Sequence, residues 1–192
     1  MRLLYLHGFN SSPQSFKAQA LMRYMREHDC LHKIICPQIP AIPEQASQFL
    51  ESLVERELKA GRLAFAGSSL GGYYATYLAE KYSGTAVLIN PSVRPYETLE
   101  ACLGENKFYH SDEYWQFDQS HIDQLKTMEV EQITEPDRYL VLLQTGDETL
   151  DYRQAAEKYK QCRCVIEEGG DHAFIGFEDY IQQILEFSGI DC

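Results

Sequence analysis

The 192-residue sequence predicts one α/β domain: a mostly parallel sheet, helices on both faces, and a small, partly helical cap insertion at about residues 94–135. Three observations predict it. Short apolar runs alternate with amphipathic stretches along most of the chain. The runs are nearly continuous in apolar residues, as strands covered on both faces are. The alternation stops near Arg94 and resumes after Pro136.

The first run, Leu3 to Leu6, is bounded by His7-Gly8 and reads as a buried strand. Ser12 as N-cap and Pro13 at the first helical position predict a helix to about Asp29, with Leu21, Met22 and Met25 on its apolar face. Lys33 to Cys36 reads as a second strand stopped by Pro37. Glu44 to Lys59 carries apolar residues at helical spacing (Ala46, Phe49, Leu50, Leu53, Val54, Leu58), and Gly61 ends it. Leu63 to Ala66 is the next strand, a helix follows Ser69, and Thr85 to Ile89 is a strand ended by Asn90-Pro91. Between about 94 and 135, aromatics (Tyr96, Phe108, Tyr109, Tyr114, Trp115, Phe117) mix with acids and no strand-like run is visible. Beyond it, Arg138 to Leu143 reads as strand, Asp151 to Tyr159 as helix, Cys164 to Glu167 as strand and Phe174 to Phe187 as helix.

Composition excludes several classes. Apolar residues make up 44% and charged residues 24%, the balance of a globular protein. The net charge of −12 and the lack of any Lys/Arg cluster oppose attraction to nucleic acid or an anionic membrane. No secretory signal and no apolar stretch of membrane-spanning length is visible, which reads as a cytoplasmic protein. The six cysteines (Cys30, Cys36, Cys102, Cys162, Cys164, Cys192) are then expected as free thiols, since a chain of this length needs no staples and no CxxC spacing occurs. Neither HExxH nor a paired-His motif points to a metal.

The sharpest signal is Gly67-Ser68-Ser69-Leu70-Gly71-Gly72, placed between an apolar strand and a predicted helix. That is the setting of a GxSxG nucleophile elbow, in which a sharp turn presents the central serine at the sheet edge. A Cβ at Gly67 or Gly71 would crowd the turn. Ser69 is therefore the candidate nucleophile. A lone Gly/Ser turn with serine as an N-cap is the plainer alternative.

A serine hydroxyl needs a base, and the chain order of such sites is Ser, acid, His. His172, in the loop Glu168-Gly-Gly-Asp-His-Ala-Phe174, follows a late strand and precedes the last helix. His28 and His32 precede the elbow, and His110 and His121 fall in the insertion. Asp147, at the end of the strand Leu140–Gln144, is the favoured acid, able to accept from the imidazole Nδ1–H. Its competitor Asp151 suits the N-cap of the next helix better. The N–H of Leu70 and that of Phe9, in the Gly8-containing loop after the first strand, are candidate oxyanion-hole donors.

Five blocks, Leu4–Pro13, Gly67–Thr76, Asn90–Pro95, Gln144–Arg153 and Gly169–Phe174, together resemble the YqiA/YcfP-type small bacterial α/β-hydrolases, the YqiA-type esterases in particular. They run in the same order over nearly the whole chain. The resemblance implies an α/β-hydrolase fold, Ser69, Asp147 and His172 as triad, and carboxylesterase activity on simple acyl esters or thioesters with no metal or organic cofactor. The expected partner is thus a small acyl ester or thioester. Two alternatives stay open: an acyl-CoA thioesterase on the same residues, and a hydrolase-like scaffold that binds without turnover. The cap aromatics are expected either to cover the acyl chain or simply to pack the insertion.

Overall fold

The computed structural model describes residues 1–192. In chain order the elements are β1 (Arg2–Leu6), α1 (Phe16–Glu27), β2 (Ile34–Ile35), α2 (Pro43–Ala60), β3 (Leu63–Ser69), α3 (Leu70–Tyr82), β4 (Ala86–Pro91), α4 (Pro95–Thr98), β5 (Gly104–Lys107), β6 (Tyr114–Phe117), α5 (Gln119–Lys126), β7 (Tyr139–Gln144), α6 (Tyr152–Lys158), β8 (Arg163–Glu167) and α7 (Ile181–Phe187). Six strands form one sheet in the order β2-β1-β3-β4-β7-β8, every neighbouring pair parallel.

The period-2 geometry of a strand explains why the runs read as continuous. Leu3 and Tyr5 of β1 pack on one side, with α1 and α7, through Leu21, Met25, Ile181 and Ile184. Leu4 and Leu6 pack on the other, against Leu50, Val54 and Leu78 of α2 and α3. β3, β4 and β7 divide their side chains the same way. Both faces are therefore core, and each fully buried Leu or Ile contributes about 1.5–3 kcal/mol by leaving water. No helix is long and apolar enough to cross a membrane.

β1 connects to β2 on one side and lies against β3 on the other. The connections therefore diverge between β1 and β3, which opens a crevice at their C-terminal ends. The loop after β1 and the β3–α3 turn meet there.

Several expectations are corrected. The first helix begins at Phe16, not beside Ser12, because Ser12 spends its hydroxyl on the N–H of Gln14 in a preceding turn. The last helix is shorter than Phe174–Phe187: positive φ at Phe174 (65°) and Gly176 (78°) breaks it, and only a 3-10 turn (Phe177–Tyr180) precedes α7. The insertion is partly helical, with α4 and α5, but it also holds an antiparallel hairpin, β5–β6, that the sequence reading missed. Its strands are only four residues long, too short for a clear alternation; β5 (Gly-Glu-Asn-Lys) is polar and charged, and β6 (Tyr-Trp-Gln-Phe) is mostly aromatic. Finally, Cys30 and Cys192 are not free thiols but form a disulfide. After α7 the chain returns beside the end of α1, bringing their Cα atoms to 5.4 Å. Cys36, Cys102, Cys162 and Cys164 are free.

Candidate active site

β3 ends in Ser69, and α3 begins at Leu70 with no connecting loop. So abrupt a turn forces Ser69 to φ 56° and ψ −123°, a left-handed conformation that costs a non-glycine residue on the order of 1–3 kcal/mol. The flanking glycines make the turn possible. A Cβ on Gly67 would lie 2.1 Å from the Gly71 carbonyl oxygen, and one on Gly71 would lie 2.0 Å from the Leu6 carbonyl oxygen. A Cβ on Gly8 would press on Ser69 Cβ at 3.3 Å, so the loop after β1 also runs close to the serine.

Three side chains distant in sequence converge at this point. His172 Nε2 lies 3.1 Å from Ser69 Oγ. His172 Nδ1 lies 2.8 and 3.0 Å from the two Asp147 carboxylate oxygens. A carboxylate only accepts, so Nδ1 carries the proton and Nε2 is left to accept from the serine hydroxyl. Burial alone would raise the Asp147 pKa. The hydrogen bond from His172 and the N–H groups of Leu150 and Thr149 outweigh burial and hold the carboxyl below its usual value. Asp151 caps α6 by accepting from the Arg153 N–H at 3.0 Å, and does not approach His172.

The N–H of Leu70 opens α3 and has no intrahelical acceptor. The N–H of Phe9 has no acceptor either. Both residues line a cavity of about 300 Å³ together with Ser69 and His172. A larger cavity, about 810 Å³, lies between the 129–133 segment and α6 and does not reach Ser69. Of the insertion's aromatics only Tyr109 lines the smaller cavity. Phe117 is buried, and Trp115 and Phe117 pack on the Phe9 ring. No three His, Cys, Asp or Glu side chains converge as a metal site requires.

Four supporting residues escaped the sequence reading. Buried Asn90, at φ 39° near the C-terminal end of β4, donates to the Asp171 carbonyl at 2.9 Å and accepts from the Gln144 N–H, steadying the His172 loop. Gln144 accepts from the Asp171 N–H and donates to the Ile175 carbonyl, flanking the same loop. His7 is buried and accepts from the Ile39 N–H through Nε2 at 3.1 Å, bracing the loop that carries Phe9. Asn10, at φ 55°, ties that loop to the β5–β6 hairpin. Their only sequence signal was position: each stands at the end of an apolar strand or just beyond it.

A model of the family described as "Uncharacterised protein family (UPF0227)" matches residues 2–189. The UPF0227 protein YcfP of Salmonella gallinarum is 25% identical over 189 residues, covering 96% of this chain and 97% of that protein. Among solved structures, mouse alpha/beta hydrolase domain-containing protein 10 is similar with a TM-score of 0.71 at 14% identity, over 96% of this chain and 88% of that one. Est1E from Butyrivibrio proteoclasticus with ferulic acid bound gives 0.69 at 15% identity, over 97% and 88%. At such identities the likeness carries the fold, which is that of the α/β hydrolases.

Proposed function

This chain belongs to the UPF0227 family, and we propose that it is a serine hydrolase, a carboxylesterase that cleaves simple acyl esters through an acyl-enzyme on Ser69. One observation carries the reading: Ser69 Oγ, His172 and Asp147 form a continuous hydrogen-bonded chain beside two main-chain N–H groups without acceptors. His172 Nε2 takes the hydroxyl proton as Ser69 Oγ attacks the acyl carbonyl carbon. Asp147 fixes the tautomer and stabilises the imidazolium. The N–H groups of Phe9 and Leu70 donate to the developing oxyanion. As the tetrahedral intermediate collapses, the ester C–O bond breaks and the alcohol leaves with the proton from His172. Water, deprotonated by His172, then attacks the acyl-enzyme, releasing the acid and restoring Ser69.

A cavity of about 300 Å³ sits at the small end of ligand sites, which favours short acyl groups over long ones. Labelling with a fluorophosphonate probe and assays with p-nitrophenyl esters of graded length test the reading. Wild type should be labelled at Ser69 and hydrolyse the shorter esters best. S69A should lose the label and drop in kcat by about 10⁴ or more. Labelling that persists in S69A removes Ser69 from the mechanism, and absence of both label and turnover in wild type leaves a binding scaffold.

A further inference from the structure

Lys17 lies near the start of α1 and lines the same cavity as Ser69 and His172. It is the only Lys, Arg, Asp or Glu among the 19 lining residues. Its surroundings are unusual for a lysine. The side chain is partly buried, and the ammonium has one hydrogen-bond partner, the main-chain carbonyl of Ala173 at 2.9 Å. That carbonyl belongs to the residue after His172, and Lys17 shares its cavity with both His172 and Ser69. Asp171 and Asp147 are near enough to favour its charge, yet neither forms an ion pair with it. An ammonium has three N–H donors, and two of these remain unassigned. Burial lowers its pKa to about 8, a mark of incomplete solvation.

The rest of the cavity wall is uncharged: Ser11, Ser15, Thr98, Thr149 and Tyr109 contribute hydroxyl-bearing side chains, while most of the wall surface is apolar, so Lys17 is its one fixed cation. We propose that Lys17 binds an anionic group of the substrate, so that the ester cleaved at Ser69 carries a carboxylate a few atoms from the scissile bond. The proposal rests on the hydrolase reading above and names its substrate class. One ammonium balances a carboxylate monoanion, whereas a phosphate dianion would leave surplus charge in the cavity. The chain's net charge of −12 does not decide the matter, because salt screens distant surface charges over about 8 Å while the cavity charge acts at contact.

The carboxylate can sit on either side of the ester, and two pairs of esters followed by NMR distinguish the sides. Monoethyl glutarate against ethyl 5-methylhexanoate probes the acyl side. The butanoate ester of 3-hydroxypropanoate against 3-methylbutyl butanoate probes the alcohol side. In each pair an isopropyl group replaces the carboxylate at similar size. Wild type should prefer the charged ester in one arm by about ten- to a hundredfold in kcat/KM, the value of a charged hydrogen bond. K17Q should bring that ratio to one or below, and K17R should retain most of it. A neutral preference in both arms overturns the proposal. So does a K17Q enzyme that loses rate equally on both members of a pair, since Lys17 would then only brace the His172 loop. Fluorophosphonate labelling of Ser69, run in parallel, separates the two levels. Labelling without an anion preference ends this inference alone; neither labelling nor turnover ends both.

Discussion

The indole Nε1 of Trp115 donates a 2.8 Å hydrogen bond to Oδ1 of Asn10, joining the insertion's hairpin to the residue beside Phe9. Asn10 also donates to Asn106 Oδ1 at 3.0 Å, and its carbonyl accepts from the Tyr109 N–H at 2.9 Å. The hairpin thus grips the loop that supplies one candidate oxyanion donor. W115F keeps a ring against Phe9 but removes the donor, leaving the Asn10 amide oxygen unmatched. We expect kcat to fall about three- to tenfold with KM little changed, because the bond acts on geometry that matters in the transition state. A lower melting temperature with unchanged kcat would reduce Trp115 to a purely structural role.

Much of this was legible because the sheet is buried on both faces. Leu3–Leu6, Leu63–Ala66 and Leu140–Leu143 stand out as apolar runs, and Ser69, Asp147 and His172 lie at or beyond the ends of such runs. The hairpin was not legible. β5 is Gly-Glu-Asn-Lys, and its pairing with β6 is held by contacts to Asn10, nearly a hundred residues away in sequence. The disulfide was hidden for a related reason: 162 residues separate Cys30 from Cys192, and only the return of the chain after α7 brings them together.

Asp147 accepts from His172 Nδ1 with one oxygen at 2.8 Å and takes the N–H groups of Thr149 and Leu150 with the other. D147N replaces one acceptor with an amide donor. Either the imidazole turns away or it adopts the tautomer that cannot accept from Ser69. A loss in kcat of about 10³–10⁴ is expected, with folding retained. Steady-state kinetics on a short-chain p-nitrophenyl ester reads this directly, and a loss below tenfold would point to another acid.

Gly71 has no room for a side chain, since any Cβ there meets the Leu6 carbonyl oxygen at 2.0 Å. Neither β1 nor α3 can retreat without breaking the sheet or the core beneath it. G71A should cost on the order of 4 kcal/mol or more and express largely as insoluble protein. G8A meets Ser69 Cβ at 3.3 Å, a contact that a small shift relieves. It should fold, with urea unfolding close to wild type, and lose activity instead. Equal stability for G71A and wild type would mean that the β3–α3 turn is looser than these distances allow.

His7 gives the pH dependence a clear sign. Burial, the largest cause, holds its pKa below the usual imidazole value; the nearby His110 adds repulsion, and the Gly8 carbonyl opposes both. In the unfolded chain the ring protonates as pH falls through about 6.5. The folded state resists until lower pH, because Nε2 must stay unprotonated to accept the Ile39 N–H. Between those two values the unfolded chain binds more protons, so stability falls as pH falls. H7Q places an amide oxygen where Nε2 accepts and does not titrate. Urea midpoints measured from pH 7.5 to 5 should therefore decline more steeply for wild type than for H7Q. Parallel curves would require an imidazole that protonates freely in the folded protein, and the brace from the Phe9 loop to Ile39 would then have to be carried by something other than this ring.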